Sequence, residues 1–430
     1  MSRPRTPFTD PFARGLLATA ALFCSLGFQY ATWAARIPAV KDDLGLSTAQ
    51  VGVLLMAAGV GAAVSFPLVA RLMRQLGSRR LALLSQLCLA LLLLALAAAP
   101  NYPVALLVLL ADGVFVGCLN VAMNAQGAAL ETRFARSAMA RLHATFSAGS
   151  LLAALVASAM TALTGSVAAH FAVAVALLLA LGAAARTGLH PSDGPDERAA
   201  APGEEDAAPG ETAATAGTPG AEKTGGRRRW SVPASLTLWM CCAMVFGTVA
   251  EGAMNDWSAL YLKDVAHASA GLAPLGIAVV SGAMLLARLF ADGWRDRWGD
   301  RRVVLAGSVL AGTALVAALL SGGVVPALAG FAVVGLGVAA VTPCVYAAAA
   351  RQGSDVLTLV AAMGTTGLLA GPPLIGFLAD ASGLAWGMGA VAGCAFVVAV
   401  CATRIRWTPA GSAVPAGTAA ATPAEPPRVP

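Results

Sequence analysis

Glu251 and Asn255 stand one helical turn apart in a stretch that is otherwise mostly apolar, and Asp256 and Trp257 follow at once. A carboxyl in such surroundings can take up and release a proton, and an amide one turn away can hold a hydroxyl. Asp112, Asn120, Asn124 and Glu131 form a second set. At about 100° per residue the last three fall within about 40° of one another, and Asp112 lies about 80° from Asn120, placed to face a neighbouring helix instead. Gln29, Trp33 and Arg36 recur at helical spacing, and so do His143, Ser147 and Ser150. These residue types suit binding of a small polar molecule and movement of a proton. They do not suit covalent catalysis: no nucleophile stands paired with a base, and no glycine-rich loop ends in Lys-Ser/Thr. The eight cysteines, at 24, 88, 118, 241, 242, 344, 394 and 401, lie in apolar segments without metal-ligand spacing and read as small packing residues. No catalytic residue, metal or cofactor is expected.

Each candidate has a plainer reading. Asn120 and Asn124 could be interhelical glue worth about 0.6 kcal/mol each. Trp33 and Trp257 lie near helix ends, where belts of aromatic residues meet the membrane interface. Arg36 could snorkel outward, and His143 could serve only to pair with Glu131. Glu251 is the hardest to dismiss. It lies about 19 residues into its segment, too deep to snorkel to the near surface.

The elements that hold these residues follow from composition. Of 430 residues, 58% are hydrophobic and 12% charged, against about 25% charged in soluble domains. The apolar residues come in blocks, too long and too uniform for the alternating strands of a barrel. A bilayer is the fitting solvent, and the fold class expected is an all-α integral membrane protein. Six candidate spans precede residue 187, at roughly 15–36, 47–70, 81–99, 103–128, 139–161 and 165–186. Six follow, at roughly 232–260, 271–291, 303–321, 324–350, 355–379 and 383–403. The first reads as an uncleaved helix, since no small-residue cleavage site follows it. The division expected is an N-terminal half 1–187, a Pro-rich and charged linker 188–230 predicted to be disordered, a C-terminal half 231–407 and a Pro/Ala tail 408–430.

The halves repeat weakly. Trp33 precedes Gly77 by nearly the separation at which Trp257 precedes Gly299, and Arg79-Arg80 and Arg301-Arg302 follow the two glycines. Placing both termini inside leaves only Arg36, Lys41 and Lys263, of 28 Lys and Arg residues, on the outer face. The net charge of +6 therefore reads as topogenic loops and not as a nucleic-acid surface.

The loop Asp296-Arg297-Trp298-Gly299-Asp300-Arg301-Arg302 resembles the signature of the major facilitator superfamily, an Asp-Arg-x-Gly-polar-Arg-Arg stretch after spans 2 and 8. The first copy is degraded, with Arg74 where that family has an aspartate. Physically the motif reads as a latch: glycine for the turn, and Asp–Arg bonds that break as two halves rock. Plain positive-inside anchoring is the alternative. The resemblance implies twelve transmembrane helices in two pseudo-symmetric sixes, with spans 1, 4, 7 and 10 lining a cavity. Segments 33–38, 123–127, 141–147 and 251–257 resemble a bacterial branch with a membrane protein of rhizopine gene clusters, near fucose-permease-like sugar transporters. That implies a secondary transporter in a bacterial inner membrane, taking up a sugar, polyol or amino-sugar-like solute with protons. Glu251, Asp112, Asp256 and His143 are the coupling candidates. Gln29, Trp33, Arg36, Asn120, Asn124, Glu251, Asn255 and Trp257 are the solute candidates. Expected partners are solute, protons and lipid, with no obligate protein partner and no nucleic acid. Proton-antiport export is less favoured, because the fifth span lacks the Gly-Pro-x-x-x-Gly-Gly stretch of such exporters; Gly371-Pro372-Pro373-Leu374-Ile375-Gly376, in the eleventh, reads as a packing kink. A non-transporting sensor or scaffold is the alternative of another class.

Overall fold

A computed structural model describes residues 10–136, 138–190 and 235–407. The expected linker from residue 191 onward, the tail 408–430 and the arginine run 227–229 lie outside them. The described residues are helical, with short turns between helices. In chain order they are α1 (Pro11–Ala34), α2 (Ile37–Asp43), α3 (Thr48–Ala97), α4 (Tyr102–Phe134), α5 (Met139–Leu163) and α6 (Val167–Arg186). After the linker come α7 (Ser235–Asp264), α8 (Leu275–Trp298), α9 (Asp300–Ser321), α10 (Val324–Val338), α11 (Val341–Ala350), α12 (Ser354–Ser382) and α13 (Leu384–Arg404).

Ten of these stretches are long and apolar enough to cross a membrane, with α10 and α11 counted as one. The 50 residues of α3 would reach about 75 Å if straight, more than twice a bilayer core. The helix instead folds at Gly77 (φ 71°, ψ 165°) into the two expected spans. The twelfth is α8, whose apolar part, Leu275–Ala291, is shorter because charged residues fill its end. Gly299 breaks the chain between α8 and α9 with nearly the conformation of Gly77 (φ 80°, ψ 150°). Only glycine adopts this region cheaply, so the two turns of the repeat share a backbone and not merely a spacing.

Local chemistry sets the ends. Asp10 caps α1 by accepting from the Phe12 N–H, with Pro11 at the first position. Ser47 and Gln50 form a reciprocal capping box on α3. The expected span 324–350 breaks between α10 and α11 because Pro343 has no N–H to give the Ala339 carbonyl.

Helices approach closely where side chains are small. A Cβ on Gly27 of α1 would lie 2.1 Å from the Phe146 carbonyl oxygen of α5, and one on Gly149 of α5 would lie 2.2 Å from that of Cys24. Across the halves, α3 meets α12 where Gly52 faces Pro372, Pro373 and Gly376, so the Gly-Pro-Pro stretch packs a seam. A second seam joins α5 to α8. The face where α6 ends and α7 begins is called here the linker side, and the opposite face the distal side.

Candidate functional site

The seam between α5 and α8 carries a polar cluster at mid-depth, beside α7. There Arg288 of α8 donates from Nη2 to Glu251 Oε1 of α7 at 2.9 Å and from Nη1 to Ser147 Oγ of α5 at 2.7 Å. The second bond crosses between the halves. Placing the eighth span at 271–291 puts Arg288 at a helix end. The helix continues to Trp298, so Arg288 lies about 15 Å inside it. An arginine at that depth needs a counter-charge, and Glu251 provides it. Asn255, one turn along α7, donates to the Glu251 backbone carbonyl at 3.0 Å, which leaves its side-chain oxygen as an acceptor.

On α4, Asn124 donates to the Asn120 carbonyl (2.8 Å) and to Asn120 Oδ1 (3.0 Å). These bonds run along one helix, so they supply no glue between helices, and Asn120 is exposed. Asp112 does face a neighbouring helix: Gln29 of α1 donates to it at 2.7 Å, and both are buried. Gln29, expected to meet solute, is thereby engaged in packing α1 on α4. Tyr30, next to it, reaches across the halves and donates to Asp256 of α7, which is buried.

Three readings need correction. Trp33 (3% exposed) and Trp257 (0%) are core residues, not belt residues, and the indole N–H of each lacks a partner among the described residues. They sit in the closed distal end, where Trp33 meets the Tyr30 ring edge-on. Arg36 neither snorkels nor reaches the mid-depth cluster. It is 3% exposed and donates from Nε to His170 Nδ1 of α6 at 3.0 Å. His143 does not pair with Glu131. Glu131 accepts from the Ala138 and Met139 N–H groups at 2.5 and 2.8 Å, capping an α5 whose own cap position holds only alanine. His143 is exposed, with its ring edge-on to Phe23 and one helical turn before Ser147, which accepts from Arg288.

The distal end is closed by a reciprocal clamp. Lys41 of α2 pairs with Asp264 at the end of α7 at 3.1 Å, and Lys263 pairs with Asp42. Each half contributes a Lys-Asp dipeptide, and the two exchange partners. Ser158 of α5 adds a bond to the Gly271 carbonyl (2.5 Å), and the Ala49 N–H one to Asp380 (3.4 Å). On the linker side the motif residues bond within their own halves. Arg79 donates to the Arg186 carbonyl (2.9 Å), and Asp300 pairs with Arg295 at 2.8 Å and not with a motif arginine. Asp296, Arg297, Arg301 and Arg302 are exposed, as are Arg74 and Arg80. Among the described residues no hydrogen bond joins the Gly77 turn to the Gly299 turn. The conformation is closed distally.

Sequence reading missed Arg288, Tyr30, His170 and the clamp. One signal was present for the clamp: Lys41-Asp42 recurs as Lys263-Asp264 at the same separation as Gly77 from Gly299. Tyr30 and His170 carry no such mark. Among the described residues no group of His, Cys, Asp and Glu could hold a metal ion.

A family model described as Major Facilitator Superfamily matches residues 18–353 and 257–427. An uncharacterized MFS-type transporter of Yersinia pestis is 31% identical over 397 residues, 90% of this chain and 95% of that protein. The membrane protein MosC of Rhizobium meliloti is 30% identical over 379 residues, 86% of this chain and 84% of that one. Among solved structures, the nucleoside transporter NupG superposes with a TM-score of 0.64 at 14% identity, covering 92% of this chain and 98% of that one. A bacterial homolog of the human lysosomal transporter Spinster, in an inward-facing and occupied conformation, gives 0.65 at 16% identity, with 92% and 98% covered.

Proposed function

This chain belongs to the major facilitator superfamily, and from that premise we propose that it carries a small polar solute by alternating access, in symport with protons. The family makes it a multi-pass membrane transporter and not an enzyme. The halves 1–187 and 231–407 are proposed to rock about the mid-depth cluster, joined by the linker 188–230. A bacterial inner membrane with the linker side cytoplasmic fits the distribution of Lys and Arg.

The observation that carries the reading is the Arg288–Glu251 pair with its bond to Ser147 across the halves. Ionic and polar groups are costly at this depth and suit a solute path. Their charges cancel, and the asparagines of α4 and α7 add neutral donors and acceptors. Such a lining favours an uncharged, hydroxyl-rich solute: a sugar, a polyol or an amino-sugar-like compound.

Proton coupling rests on Asp112 and Asp256. Each is buried, and the partners found for them, Gln29 and Tyr30, are neutral. A carboxyl held without a cation changes charge as water access changes, and Tyr30–Asp256 spans the interface that must part. Glu251 is a third candidate, through its exchangeable hold on Arg288, and His143 a fourth, exposed one turn from the Ser147 that the same guanidinium bonds. The test is uptake of labelled sugars and polyols into membrane vesicles with and without an imposed pH gradient. Accumulation driven by the gradient, and lost in Asp256→Asn, is expected. Uptake indifferent to the gradient overturns the coupling.

A further inference from the structure

A groove of about 240 Å³ runs between the second span of α3 and α6, away from the solute cluster. Its walls are Leu83 and Leu87 on α3 and Leu178, Leu179, Gly182 and Ala183 on α6, with Arg186 at its linker-side end. The small pair Gly182 and Ala183 leaves the space. Gln86 forms the floor, donating to Ser25 Oγ of α1 and to the Leu178 carbonyl, both at 2.9 Å. The flanking surfaces are leucine-rich and exposed, at Leu84, Leu87 and Leu91 on one side and Leu177 and Leu179 on the other, so the groove opens to the bilayer.

We infer that this groove is a site for an anionic phospholipid, one acyl chain lying between α3 and α6 and the phosphate on the arginines at its mouth. The mouth is cationic. Arg79 donates to the Arg186 carbonyl, Arg80 follows it in the chain, and among the described residues neither these two nor Arg186 pairs with a carboxylate. Arg186 closes α6 and Arg79 and Arg80 open the second span of α3, so all three stand at helix ends, at the depth of lipid headgroups. Apolar walls with a guanidinium cluster at one end match the two parts of a phospholipid in order, and a guanidinium fork suits phosphate. Bound there, the lipid would brace the N-terminal half beside the Gly77 turn.

The test melts the full-length protein in detergent against rising phosphatidylglycerol, phosphatidylcholine or inorganic phosphate. Phosphatidylglycerol is expected to raise the melting temperature saturably and at lower concentration than phosphatidylcholine, with inorganic phosphate inert. Arg186→Gln should weaken the phosphatidylglycerol half-point about fivefold and leave that of phosphatidylcholine unchanged. Ala183→Trp, which fills the groove from an exposed position, should weaken both lipids. Native mass spectrometry provides a readout independent of melting, with one tightly held phosphatidylglycerol on the wild type and none on Ala183→Trp. Equal response of the wild type to the two lipids, a shift reproduced by inorganic phosphate, or wild-type behaviour of both variants overturns the site.

Discussion

Removing either partner of the Arg288–Glu251 pair should cost stability, and removing both should cost little more than removing one. Stripping one partner from a dry buried pair costs about 3–5 kcal/mol. Here the side chains retain 29% and 25% of their exposure, so water compensates part of the loss, and about 1–2 kcal/mol is expected for each of Glu251→Gln and Arg288→Gln. Arg288→Gln also gives up the bond to Ser147, and falls at the upper end. In the double variant neither charge is orphaned, so the cost should stay near that of the worse single change, a coupling of about 1 kcal/mol or more. The assay is thermal melting of the four detergent-purified proteins at matched concentration. A double variant that loses the sum of the two single losses would refute the pairing, as would single variants that melt like the wild type.

The distal clamp makes its own prediction. Each exposed pair is worth at most about 1 kcal/mol, so Lys41→Asp should shift the distal equilibrium toward opening by about fivefold, and Asp264→Lys added to it should restore closure. Spin-label distances across the distal end check this, and the effect should shrink in high salt. Gly299→Ala places a side chain at φ 80° and should cost about 1–3 kcal/mol; melting indistinguishable from wild type would remove the strain argument. Tyr30→Phe orphans a buried carboxyl while sparing the mid-depth cluster. It should slow gradient-driven uptake while leaving solute binding intact, and equilibrium binding beside initial uptake rates separates the two.

The fold was legible because bilayer physics leaves few choices. Blocks of about 20 apolar residues became spans, and the two glycine turns proved alike in backbone as well as spacing. Errors came where helices outrun the hydrocarbon. α8 carries its charged end past residue 291, and that extension moves Arg288 from a membrane surface to the middle of the bundle. The site was half legible. Helical spacing found Glu251 and Asn255 on one face and set Asp112 apart from Asn120, as the structure has them. It could not find Tyr30–Asp256, Arg36–His170 or Arg288–Ser147, because each joins helices far apart in the chain, and a single helix's periodicity says nothing of its neighbour's rotation. Trp33 and Trp257 mislead for the same reason: a tryptophan near a helix end faces lipid or core according to what packs on it.

Solute is proposed to sit at the Arg288–Glu251–Ser147 cluster, and ligand-induced stabilisation tests that placement. Sugars, polyols and amino sugars are screened against wild type, Glu251→Gln and Arg288→Gln. A ligand at a hundred times its Kd adds about 2.7 kcal/mol to the folded state, a dose-dependent rise in melting temperature. A hydroxyl-rich solute is expected to stabilise the wild type and to lose its effect in both variants. A solute that stabilises all three proteins alike would place the site elsewhere and contradict it.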